Sequence, residues 1–105
     1  MLISIKNKNI NLINQRGKTL SFELSDDVVL MSIKAFLEKC PQSADFKLSV
    51  ESNDRRYIIF SNGYKLLINK ISFFEIANRM ILLNNKLVFP KLNIEDNSEE
   101  SPTEE

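Results

Sequence analysis

A chain of 105 residues, 43% of them hydrophobic, is long enough for one modest core, so the sequence predicts a single compact domain. Its 14 basic and 14 acidic residues cancel overall, but residues 1–92 carry 14 − 8 = +6 and residues 95–105 carry −6. With no histidine and one cysteine, the chain lacks the commonest catalytic base, any internal disulfide and the usual zinc ligands.

The N-terminal half of the chain predicts strands followed by a helix. Apolar residues around positions 3–5 and 10–12 predict either two short strands or one bent strand. Leucine and phenylalanine alternate with polar residues over 20–24, which indicates a half-buried strand. The run Ser25-Asp26-Asp27 is typical of a helix start, and Cys40-Pro41 predicts the end of that helix.

The C-terminal half predicts a three-stranded meander and a second helix. Alternation over 46–50 indicates its first strand, and Asn62-Gly63 predicts a two-residue type I′ hairpin turn between strands at 56–61 and 64–68. Ser72 and Glu75 have the spacing of a capping box at the start of a helix that fades at Asn84-Asn85. Most side chains of this helix are apolar, so we expect it to be largely covered, either by its own sheet or by a partner.

These elements predict an α+β domain with one antiparallel sheet of five to six strands and two helices packed on one face. The domain spans residues 1–92, and residues 93–105 form a disordered acidic tail. No internal sequence repeat is visible. No apolar run is long enough to cross a bilayer and no signal peptide opens the chain, so we expect a soluble protein of the cytoplasm, or of the host cytoplasm if a phage encodes it.

No residue pattern indicates catalysis, and we expect neither enzymatic activity, nor a cofactor, nor a bound metal. Cys40 is predicted at the negative end of a helix, where the dipole disfavours a thiolate, so its expected role is packing. The only adjacent carboxylates, Asp26 and Asp27, stand where helix-capping residues belong.

The favoured function is that of a non-catalytic accessory or regulatory protein that binds a protein partner or a second copy of itself, without a membrane. The grounds are the largely apolar last helix, the apolar residues after it and a free edge of the meander. The asparagine- and isoleucine-rich composition suggests AT-rich coding, as in phages, mobile elements and low-GC bacteria. The candidate protein-binding residues are Phe73, Phe74, Met80, Leu87, Val88 and Phe89.

The alternative is a nucleic-acid-binding protein whose +6 body is moderated by its −6 tail. One candidate patch combines basic and aromatic residues of the meander, and a second lies at predicted hairpin ends. The first patch comprises Arg55, Arg56, Tyr57, Tyr64 and Lys65, and the second comprises Lys6, Lys8, Arg16 and Lys18. The acidic residues of the tail are Glu95, Asp96, Glu99, Glu100, Glu104 and Glu105.

Two resemblances concern topology. Residues 26–86 are predicted as helix, three strands and helix, an order that resembles a double-stranded-RNA-binding domain. That family begins its last helix with a lysine-rich run, whereas this chain reads NKISFFE with Lys70 alone. The first five strands and first helix are similar in order to an OB-fold, whose single-strand-binding members often carry acidic tails with a hydrophobic tip. This tail ends Pro-Thr-Glu-Glu. We assign the chain to neither family.

Overall fold

The computed structural model describes residues 1–84. The predicted α+β class with two helices is confirmed, and the N-terminal apolar stretch forms two strands rather than one bent strand. The elements in chain order are β1 (Leu2–Lys6), β2 (Asn9–Ile13), β3 (Thr19–Glu23), α1 (Asp27–Lys39), a 3₁₀ turn (Pro41–Ser43), β4 (Phe46–Val50), β5 (Arg56–Phe60), β6 (Lys65–Ile68) and α2 (Lys70–Asn84).

The strands form two three-stranded antiparallel meanders, β1-β2-β3 and β4-β5-β6, so the prediction of one sheet of five to six strands is wrong. The two sheets touch at one bridge, between Leu2 and Asp45. Around it, the Ile3 N–H donates to the Ala44 carbonyl and the Phe46 N–H donates to the Met1 carbonyl, both at 3.1 Å. The bridge does not extend because β1 and β4 run away from it in opposite directions, and the chain facing β1 further on is the 3₁₀ turn. The division into two three-stranded sheets also differs from the OB-fold, in which the first five strands would share one sheet.

Both sheets turn an apolar face toward one shared core. Registry places Ile3 opposite Leu12 and Ile10 opposite Phe22 in the first sheet, so alternate residues of all three strands point inward. Helix α1 packs on β1 and β6, and α2 packs on β2, β3 and β5. Each helix therefore covers strands of both sheets, which joins the two meanders into one core. The fully buried side chains with the largest volumes include Phe60, Ile3, Ile10, Leu12, Ile33, Ile58 and Ile76.

The loop after β5 has three residues rather than the predicted two, as do the loops after β2 and β4, whereas the β1–β2 turn has two. In the loop after β5, the Gly63 N–H donates to the Phe60 carbonyl and the Phe60 N–H donates to the Tyr64 carbonyl. Only Gly63 has a positive φ there, at 89°, whereas a type I′ turn needs positive φ at Asn62 as well. The predicted hairpin is present, but its turn type is wrong. Asn62 instead accepts a hydrogen bond from the Tyr64 N–H through its side chain, at 3.0 Å.

The helix starts are fixed by side-chain caps. Asp26 caps α1 as predicted, because its carboxylate accepts from the N–H groups of Val28 and Val29. The predicted capping box of α2 is wrong, since the helix begins at Lys70 and the side chain of Asn69 accepts from the Ser72 N–H at 2.7 Å. Ser72 lies inside the helix and is fully buried.

The domain repeats one architecture twice, three antiparallel strands followed by a helix, although its sequence shows no repeat. The two N-cap residues, Asp26 and Asn69, are 43 positions apart, and Asn69 Nδ2 donates to Asp26 Oδ2 at 2.6 Å. The bridged residues Leu2 and Asp45 are also 45 − 2 = 43 positions apart. Equivalent positions of the two units thus meet at both junctions, which describes an approximate two-fold relation there, although β2 and β5 are offset by 56 − 9 = 47 positions.

Candidate interaction surfaces

Helix α2 is apolar on both sides. Its inner side buries Ser72, Ile76 and Leu83 against the sheets. Its outer side exposes a row at helical spacing, with exposed fractions of 67% at Ile71, 46% at Phe74, 42% at Ile81 and 47% at Leu82. A helix that only covers a core would carry polar residues at these positions. We call this row the outer face of α2.

The predicted protein-binding residues divide between the two sides of the helix. Phe74 lies on the outer face, whereas Phe73 and Met80 are partly buried and pack against the core. The predicted residues Leu87, Val88 and Phe89 lie outside the described part of the chain. Sequence reasoning missed Ile71, Ile81 and Leu82, because a helix that is apolar nearly all round does not show which side its sheets cover.

Arg56 supports the start of the outer face and is not a free cation. Strand alternation turns it toward the helix side of its sheet, where its guanidinium lies 5.8 Å from the ring centre of Phe73 and 5.9 Å from that of Phe74. The two rings meet edge to face, at 5.5 Å between centroids. A salt bridge of 3.1 Å also joins the guanidinium to Asp54.

The remaining residues of the first basic patch also lie in different places. Tyr57 points to the outer side of the sheet, where the Lys65 ammonium lies 4.6 Å from its ring centre. Lys65 also pairs with the Glu51 carboxylate, and that hydrogen bond raises the pKa of the lysine. Tyr64 instead stacks on the ring of Phe36 in α1, at 5.0 Å. Arg55 is exposed in the loop before β5.

The residues of the second basic patch lie at opposite ends of β2 and do not form one patch. Lys6 and Lys8 lie at the β1–β2 turn, and Arg16 and Lys18 lie in the β2–β3 loop, at the opposite end of β2. Arg16 and Lys18 instead join Lys47 around an open hollow of about 570 Å³ beside the end of α2. Among the described residues no carboxylate lines this hollow. The six acidic residues predicted to form the tail lie outside the described residues.

Residues 1–84 contain no cluster of three His, Cys, Asp or Glu side chains arranged to hold a metal ion. Cys40 is partly buried at the C-cap of α1. No helix within the described residues is both long and apolar enough to cross a membrane.

In comparisons with known proteins, no family model, no curated protein and no solved structure matches the chain.

Proposed function

We propose that this chain is a non-catalytic binding protein, with an accessory or regulatory role, that contacts another protein through the outer face of α2. The observation that carries the proposal is the exposed row Ile71, Phe74, Ile81 and Leu82 on a helix whose other side already fills the core. Exposed apolar surface of about this size on a folded domain is often an interaction site.

The area of the outer face determines how much binding free energy must come from other contacts with the partner. The four exposed fractions amount to roughly 350 Å² of apolar surface, taking about 170 Å² for a fully exposed large side chain. Burying that area gives on the order of 9 kcal/mol at 25 cal/mol per Å². Association costs about 4–15 kcal/mol, so stable binding needs further contacts around the row. The exposed first-turn residue Lys70 is placed to supply such a contact, whereas Glu75 already accepts a hydrogen bond from the Ser25 N–H at 3.1 Å.

The test compares what the tagged full-length chain retains from an extract of its host with what two variants retain. Phe74→Ser with Ile81→Ser removes two of the four side chains of the outer face. Val50→Ser with Leu2→Ser removes two side chains of similar exposure, 53% and 46%, from the strands. We expect quantitative mass spectrometry to show a nuclease-resistant partner that the α2 variant loses at least tenfold and the strand variant keeps. Equal recovery by all three proteins would contradict the proposal.

The alternative, nucleic-acid binding, is favoured by one observation: Arg16, Lys18 and Lys47 surround a hollow that, within residues 1–84, no carboxylate lines. In that case, removal of residues 95–105 tightens binding to DNA or RNA, and binding weakens steeply as salt rises. Arg16→Ala with Lys18→Ala would lower the salt slope by about 2, whereas Arg55→Ala in the exposed loop would change it little. A truncated chain that ignores nucleic acid at low salt excludes this function.

A further inference from the structure

The first turns of the two helices expose apolar side chains at equivalent positions. Val28 and Ile71 stand two residues after their N-caps and are 75% and 67% exposed. Met31 and Phe74 stand three residues further along and are 57% and 46% exposed. Because Asp26 and Asn69 are hydrogen-bonded to each other, both first turns begin at one junction. We call these four side chains, which all lie within five residues of the hydrogen-bonded caps, the junction surface.

The charges beside the junction surface are opposite at equivalent positions. Asp27 is the first residue of α1 and Lys70 is the first residue of α2, and both are exposed. The two positions are equivalent in the repeated architecture, each directly after its N-cap. The surface therefore has similar apolar groups in both units, with an acid beside them in one unit and a base in the other.

We propose that the junction surface binds the junction surface of a second copy of this chain. The inference rests on the proposed function, since Ile71 and Phe74 belong to the outer face of α2. The partner that it identifies is a second copy of the chain. A two-fold contact between identical chains needs a self-complementary patch. The near-symmetry of the four apolar side chains supplies that match. The charges select one of the two possible arrangements, in which Asp27 faces the partner's Lys70 and Lys70 faces the partner's Asp27.

The exposed area indicates a weak, reversible dimer. The four side chains expose roughly 400 Å² of apolar surface, on the same allowance of about 170 Å² for each fully exposed side chain. A standard interface buries about 800 Å² per partner. Apolar groups therefore supply about half of what a stable dimer needs and the polar rim supplies the rest. The dissociation constant is accordingly expected in the micromolar range.

The test is sedimentation of the full 105-residue chain over a range of concentrations, where a monomer of 12.1 kDa is distinguished from a species of twice that mass. Asp27→Lys and Lys70→Asp each place like charges opposite one another twice per dimer, and each should weaken dimerisation about tenfold. The double variant carrying both changes restores it. An equimolar mixture of the two single variants also restores it, because both pairs in the mixed dimer are then complementary.

The apolar contact is tested separately. Val28→Ser with Ile71→Ser should weaken dimerisation about a hundredfold, while Ile81→Ser with Leu82→Ser, at the other end of α2, should leave it unchanged. Thermal unfolding of each variant confirms that the fold is retained. A monomer up to millimolar concentration, a dimer insensitive to the Val28 and Ile71 changes, or charge reversals that neither the double variant nor the mixture rescues would each overturn the inference. A strict monomer that still retains a protein through the outer face of α2 refutes self-association and leaves the proposed function standing.

Discussion

The hydrogen bond between the two N-caps is predicted to couple the stabilities of the two helices. Asp26 accepts from Val28 N–H at 2.9 Å and from Asn69 Nδ2 at 2.6 Å, while Asn69 accepts from Ser72 N–H at 2.7 Å. Losing a cap costs about 1 kcal/mol, and losing this exposed side-chain bond costs about 0.5–1 kcal/mol. Asp26→Ala and Asn69→Ala should therefore each lower the free energy of unfolding by about 1.5–2 kcal/mol.

The double variant should lose less unfolding free energy than the sum of the two single variants, because each single variant already removes the hydrogen bond that the two residues share. Urea unfolding of the wild type, the single variants and the double variant measures this difference as a coupling energy of about 0.5–1 kcal/mol. Asp27→Asn serves as the matched control, since Asp27 adjoins the cap, and its effect should add to that of Asn69→Ala. Additive losses for Asp26→Ala and Asn69→Ala would show that the two caps stabilise their helices independently. The hydrogen bond between Asp26 and Asn69 would then contribute nothing to stability.

Three further substitutions test the core, a turn and a buried hydroxyl by urea unfolding. Ile76→Ala removes a fully buried side chain and should cost about 2–5 kcal/mol; a loss below 1 kcal/mol would contradict its place in the core. Gly63→Ala should cost about 1–2 kcal/mol through its φ of 89° alone, because an added Cβ meets nothing within 4 Å, and Ser61→Ala in the same loop should be nearly neutral. Ser72→Ala should stabilise by about 1 kcal/mol, since its buried Oγ has no hydrogen-bond partner among the described residues; destabilisation would show that the hydroxyl is bonded.

Local sequence patterns were sufficient for the elements but not for their arrangement. Strand alternation over 46–50 and the cap at Asp26 depend on neighbours within a few positions, so the sequence predicts both correctly. The choice between Asn69 and Ser72 as the cap of α2 could not be made locally, because both residue types suit an N-cap. Packing decides it, since Ser72 lies in the buried side of the helix. Whether β1 and β4 share one sheet likewise depends on a contact 43 positions apart in the chain.

The candidate surfaces were less predictable than the fold for the same reason. Phe73 and Phe74 are adjacent and identical in type, yet Phe73 packs on the core and Phe74 is 46% exposed. In an almost wholly apolar helix, the sheets that it covers decide which side is buried. The periodicity of the sequence alone does not show that side. The basic patch around Arg56 separates because successive strand residues point to opposite faces, so Arg56 and Tyr57 never share a surface.

The approximate two-fold relation also shows where the two units differ. Adding 43 to Glu38 and Lys39, near the end of α1, gives Ile81 and Leu82 of α2, and all four positions are exposed. The first turns of the helices thus share apolar character, while the later turns are charged in α1 and apolar in α2. A contact between two copies at the junction surface accounts for the shared part. It does not use Ile81 and Leu82, so these two side chains remain free in such a dimer to contact a different protein.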